Sequence, residues 1–170
     1  MDVSESSQQI QMIDDSGLLA IVDTQAYPSF IAEDWTYEQI LEHFSQQMAA
    51  KTILVWDCGD GGDDYLAEVR SAITNDRGFR EAFGVIEATG TRLHIASYTA
   101  LTMAAQFDDE KLPSRNEINA AIDVQPGTYR VRLVQCYDPA EFTERQRPNF
   151  IVELELGEGP SWNSVQWIET

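Results

Sequence analysis

Apolar positions along this chain follow two periods, and the switch between them marks the elements. Leu18–Val22 is an unbroken apolar run of strand length. Tyr37, Ile40, Leu41, Phe44 and Met48 recur at helical spacing behind Asp34 and Thr36, either of which caps free N–H groups, so a helix is predicted over 36–49. Thr52–Trp56 returns to a β-branched apolar run and ends in the glycine- and aspartate-rich stretch 57–64, a loop. From 65 to 74 the pattern fits both periods: Leu66, Val69 and Ile73 make a helix face, Tyr65, Ala67, Val69 and Ser71 a strand face. It is read as a strand because the following segments alternate.

Phe83–Ala88 and Thr91–Ala96, separated by Thr89-Gly90, read as a hairpin. Leu101–Phe107 is also ambiguous and is read as a strand ending at Asp108-Asp109-Glu110. Ile118–Val124 is a short element closed by Pro126-Gly127. Thr128–Val134 places Tyr129, Val131 and Leu133 on one face and Arg130 and Arg132 on the other. Phe150–Leu156 does the same with Glu153 and Glu155 outward, and Val165–Ile168 is a short last strand.

Many short strands and one clear helix predict a mostly β fold: an antiparallel β-sandwich, or an open barrel, with one packed α-helix. If 65–74 and 99–107 were helices, the class would become α+β. Residues 1–16 are polar and acidic and are expected to be a flexible terminus. Residues 17–170 are expected to form a single globular domain, which suits the length.

Charge narrows the function classes. The chain carries 29 Asp and Glu against 11 Lys and Arg, a formal net charge of −18. Such a surface repels nucleic acid and anionic lipid and suits a basic protein partner or divalent cations. No apolar run approaches the length of a membrane-spanning helix, and the N-terminal stretch lacks a signal-peptide pattern. Two cysteines, Cys58 and Cys136, make no disulfide framework. These features point to a cytoplasmic protein.

The densest acidic cluster is Asp57, Asp60, Asp63 and Asp64. Oxygen ligands on a glycine-rich loop suit Ca²⁺, although the spacing is not that of an EF-hand. Further acids stand at Asp108-Asp109-Glu110, Glu141/Glu144 and Glu153/Glu155/Glu158, runs that normally face solvent. His43, His94, Cys58 and Cys136 have no zinc-ligand spacing, and each histidine is read as structural. There is no nucleophile elbow, no G-x-G-x-x-G and no P-loop lysine, so no cofactor is expected. Of the four tryptophans, Trp35, Trp56 and Trp167 are assigned to the core. Trp162, in the loop 157–163, is the candidate exposed anchor.

The order of features also resembles a known family. A first strand is followed by Asp34-Trp35-Thr36 and a helix. Then come the hairpin, a Leu112-Pro113 turn, and Pro126-Gly127-Thr128-Tyr129 before a strand ending near Asp138-Pro139. Over residues 17–156 this resembles the small acidic ComJ-like nuclease inhibitors, and it is similar to immunity proteins found beside bacterial toxins. The resemblance implies a β-sandwich that binds and blocks a nuclease or toxin without catalysis of its own. The expected partner-binding residues are Asp57, Asp60, Asp63, Asp64, Asp108, Asp109 and Trp162. The alternative is a Ca²⁺-dependent β-sandwich binding module built on the 57–64 loop.

Overall fold

A computed structural model describes residues 7–141 and 146–168. Residues 1–6 of the expected flexible terminus, and Glu144, lie outside the described residues. The chain runs β1 (Ser7–Asp14), β2 (Leu18–Val22), α1 (Tyr37–Ala49), β3 (Ile53–Asp57), β4 (Asp63–Arg70), β5 (Arg80–Ala88) and β6 (Arg92–Ser97). It continues through α2 (Tyr98–Gln106), a 3-10 turn at Arg115–Glu117, β7 (Ala121–Asp123), β8 (Gly127–Gln135) and β9 (Phe150–Leu156). A five-stranded sheet of order β1-β4-β9-β8-β5 packs on a four-stranded sheet of order β3-β2-β6-β7. The mostly β expectation holds, as an open sandwich rather than a closed barrel. One pair departs from antiparallel order: β4 and β9 run parallel.

The core lies between the sheets. Phe150 on β9 meets Trp56 on β3 at 5.7 Å and Tyr65 on β4 at 5.6 Å between ring centroids. All three are buried, so one aromatic cluster ties the two layers together. Helix α1 packs on β3 through Ile40, Phe44 and Met48. Its start is fixed by a capping box: the Thr36 hydroxyl accepts from the Gln39 N–H, and the Gln39 side chain accepts from the Thr36 N–H.

Several sequence expectations are corrected here. Ser7–Asp14, expected to fray, is a strand. Ile10 and Met12 point inward, and Gln9 and Gln11 outward, along its pairing with β4. The expected strand at 101–107 is helix α2. Ser97 caps it by accepting from the Ala100 N–H, and Leu101, Ala104 and Ala105 form its buried stripe. The expected hairpin at 83–96 is not one, because β5 pairs with β8 and β6 pairs with β2 and β7. The buried Asp23 carboxylate accepts from the N–H (2.8 Å) and hydroxyl (2.7 Å) of Thr89, holding the connection where the chain passes from one sheet to the other. Val165–Ile168 makes only a single parallel bridge, Trp56 to Gln166, along the edge of β3.

The outer face of the five-stranded sheet differs from the solvated face predicted for it. Arg70, Glu153 and Arg132 stand opposite one another across three neighbouring strands. Glu153 is fully buried and Arg132 nearly so. The segment after β4 closes over them: Thr74 donates its N–H (3.2 Å) and hydroxyl (2.6 Å) to Glu153, and Arg132 donates to the carbonyl of Asp76. Arg132 also bonds Glu153 at 2.7 Å and Glu81 at 2.6 Å.

The edge of β5 is covered by the C-terminal segment. The Trp162 indole N–H donates to the Phe83 carbonyl at 2.5 Å, with the ring lying over Gly84. A Cβ at position 84 would sit 2.9 Å from that ring and 3.3 Å from Leu54. Gly84→Ala is therefore expected to destabilise by about 1–3 kcal/mol through overpacking, read as a lower denaturation midpoint. An unchanged midpoint would mean that the indole does not hold this position.

Candidate partner-binding surface

The site is organised by a buried carboxylate that the sequence did not single out. Asp14 ends β1 and is almost fully buried. One of its oxygens accepts from the N–H groups of Ser16 (3.0 Å), Gly17 (2.5 Å) and Leu18 (3.1 Å), and the other from Tyr98 N–H (2.9 Å), the first residue of α2. The β1–β2 turn and the start of α2 are thereby tied to one side chain. The 57–64 loop packs on that turn. Gly62 has φ +123°, and a Cβ there would lie 2.6 Å from the Asp14 carbonyl oxygen, so only glycine permits this approach.

Within the loop, the aspartates have different roles. Asp60 accepts the Tyr65 hydroxyl on one oxygen and the Tyr137 hydroxyl on the other, both at 2.5 Å. Burial pushes both phenols up and keeps them protonated as donors. Asp57 accepts from Gly59 N–H at 2.7 Å, closing the turn that starts the loop. Asp63 accepts from Asp64 N–H at 2.7 Å, and Asp64 accepts from the Gln11 amide at 2.9 and 3.0 Å. Asp63 and Asp64 are exposed; Asp57 and Asp60 are half-buried.

A groove of about 850 Å³ opens beside this loop, between β1, α2 and the 110–120 segment. Ile13, 69% exposed, and Met103, 42% exposed, supply apolar surface to it. Asp15, Glu110 and Glu117 supply acids. Burial pushes the Glu117 carboxyl up, against hydrogen bonds from the Ser97 hydroxyl (2.5 Å) and N–H (3.2 Å). Lys111, which also lines the groove, donates its ammonium to the Asp108 carbonyl at 2.9 Å.

The predicted residues therefore divide three ways. Asp57, Asp60, Asp63 and Asp64 stand together at the end of the sandwich next to the groove. Asp108 and Asp109 are exposed beyond the far end of α2, about 14 Å along its axis from the Asp14 end. There they line a smaller hollow with Phe30 and Phe107. Trp162 is corrected outright: it is buried against Gly84 and is not an exposed anchor. Sequence reasoning missed Asp15, Glu110, Glu117 and the β1 residues of the groove. The alternation of Ile10 and Met12 among glutamines was the available signal for β1. Ser97 followed by Leu101, Ala104 and Ala105 was the signal for α2.

The remaining candidate chemistry finds no centre. Among the described residues no three His, Cys, Asp or Glu side chains are grouped as a metal site. His43 bonds the Pro28 carbonyl at 2.7 Å, and burial lowers its pKa. His94 is buried on β6 with Nδ1 unpaired, and burial lowers it as well, which keeps it neutral; its expected satisfaction is thus only partial. Both cysteines are free. Burial, and then Asp60, push the Cys58 thiol up, the reverse of an activated nucleophile. No described helix is long and apolar enough to cross a membrane.

No protein-family model matches the chain, and no curated protein sequence matches it. Solved structures do. One, titled "Crocagin biosynthetic gene J", has a TM-score of 0.62 at 12% identity, covering 92% of this chain and 100% of that one. Another is ComJ from Bacillus subtilis, described as an inhibitor of the DNA-degrading activity of NucA. It has a TM-score of 0.54 at 13% identity, covering 91% of this chain and 100% of that one. At these identities the likeness is one of fold: this chain shares its sandwich with a nuclease inhibitor, as the order of its sequence elements implied.

Proposed function

We propose that this chain is a non-catalytic inhibitor that binds a basic protein and occludes its working groove. The partner class its fold favours is a DNA-degrading nuclease, acting as a bacterial toxin with this chain as its immunity protein. The observation that carries the reading is the acidic end of the sandwich, where Asp15, Asp63 and Asp64 stand beside a groove with exposed Ile13 and Met103. A nuclease that grips DNA presents a cationic groove to the phosphates. A surface with net charge −18 steers such a partner and pairs with its Lys and Arg side chains. The apolar floor then excludes water at the centre of the contact. The fold shared with ComJ supports the inhibitor role.

The test is capture of partners from the native lysate on the immobilised chain at low salt, elution at high salt, and assay of the eluate for DNA cleavage. The expected result is a cleavage activity that is suppressed when the chain is added back. An eluate without such activity, or with activity indifferent to the chain, contradicts the reading.

A further inference from the structure

Among the described residues, three of the four sheet edges are short or covered. β7 has three residues. β3 is bridged by Gln166, and β5 is covered by Trp162 at Phe83. The fourth, β1, has eight residues and pairs on one side only. Its register identifies the groups left over. Leu66 turns its N–H and C=O toward Asn149, away from β1, so its partner Gln11 belongs to a non-hydrogen-bonded pair. By alternation Gln9, Gln11 and Ile13 present their backbone N–H and C=O groups to the open side. Among the described residues those groups make no backbone hydrogen bond.

Nothing in the sequence of this edge blocks pairing. Residues 7–13 contain no charge and no proline, the usual devices that protect a strand edge. The groove runs along that edge from Gln9 to Ile13. Its rim carries Asp15, Glu110 and Glu117 against one lining cation, Lys111, whose ammonium donates to the Asp108 backbone carbonyl.

We propose that the outer edge of β1 receives an extended segment of the partner, bearing lysine or arginine at alternate positions, as an added strand of the five-stranded sheet. Backbone hydrogen bonds supply affinity in this mode, and alternate side chains supply specificity. The cations reach the acidic rim while the intervening residues cover Ile13 and Met103. A second copy of the chain is disfavoured, because it would bring another −18 of charge to the same rim. This proposal rests on the reading that the partner is basic.

The test uses two labelled octapeptides of equal charge, one alternating Lys with Val and one alternating Lys with Pro, which lacks half the backbone donors. Binding is followed by anisotropy at low salt, and β1 amide exchange by NMR. Gln11→Pro removes a donor that the β1–β4 ladder does not use, and Gln11→Ala removes only the side chain. The Lys-Val peptide is expected to bind and slow exchange at Gln9, Gln11 and Ile13. Gln11→Pro should weaken it about tenfold, the scale of one hydrogen bond, with Gln11→Ala nearly unchanged and the Lys-Pro peptide weaker on the intact chain.

Equal binding of both peptides, unaffected by Gln11→Pro, overturns the added strand and leaves the acidic-surface reading standing. No binding of either peptide overturns both. Slow exchange at these amides without peptide, with a concentration-dependent dimer, makes the occupant a second copy and overturns the proposal.

Discussion

Arg132→Ala is expected to destabilise the protein by about 3–5 kcal/mol, the cost of leaving a buried charge without its partner. Glu153 is fully buried and accepts from Arg132, Thr74 and, at 3.3 Å, Arg70. Removing Arg132 also frees the Asp76 carbonyl, and with it the segment that shields the network. The midpoint of thermal unfolding should fall by roughly 6–20 °C for a chain of this size. Arg130→Ala is the control. Arg130 and Glu155 pair at 3.0 Å but are both over 40% exposed, so its loss should cost about 0–1 kcal/mol.

The same network sets an acid limit. Burial raises the Glu153 carboxyl, but the bonds from Thr74 and Arg132 outweigh it and hold the group below its usual range. A depressed carboxylate contributes stability above its unfolded pKa, about 4.3, and that contribution is lost as pH falls through the folded value. Glu153→Gln should flatten stability against pH below about pH 4. An Arg132→Ala loss no larger than that of Arg130→Ala would show that the network is not the closed one described.

The second large effect is on binding. The double substitution Asp63→Lys and Asp64→Lys should weaken the basic partner about 100-fold at low salt, because like charges brought together at an interface cost several kcal/mol. Both side chains are exposed, at the first two positions of β4. The fold should therefore survive, and unfolding curves should be unchanged. The loss should shrink at high salt, where the screening length falls to a few ångström. Asp60 is unsuitable for the same experiment because it holds Tyr65 and Tyr137. Unchanged affinity would remove the 57–64 loop from the interface.

What the sequence revealed and what it hid follow from one distinction. Elements whose burial is apolar were legible: the alternation in β8 and β9, the run of β3, and the stripe of α1 behind Thr36. Elements held by polar groups were not. β1 shows only Ile10, Met12 and the outward Ile13 among polar residues, and its inward Asp14 is buried because it accepts four N–H groups, a use that hydropathy cannot display. The turn after β5 looked like a hairpin because the distant Asp23 that anchors Thr89 lies 66 residues away in sequence. Glu153 and Arg132 read as a solvated face because the covering segment carries little apolar character of its own.

The candidate site was legible in kind more than in place. Negative charge and the loop at 57–64 were visible, and so was the fold later shared with a nuclease inhibitor. Trp162 misled because a tryptophan in a Gly-Pro loop looks exposed, whereas Gly84 leaves space for its ring. Asp15, Glu110 and Glu117 join only after α2 forms, so their meeting at one groove needed the folded chain.

The central claim is that an acidic surface captures and blocks a basic partner. Its most direct test is the association rate of the captured nuclease with this chain, measured across ionic strength, with DNA cleavage followed in parallel. The account predicts fast association at low salt that slows steeply as salt rises, and cleavage lost in step with complex formation. Association indifferent to salt, or a complex that still cleaves DNA, would contradict it.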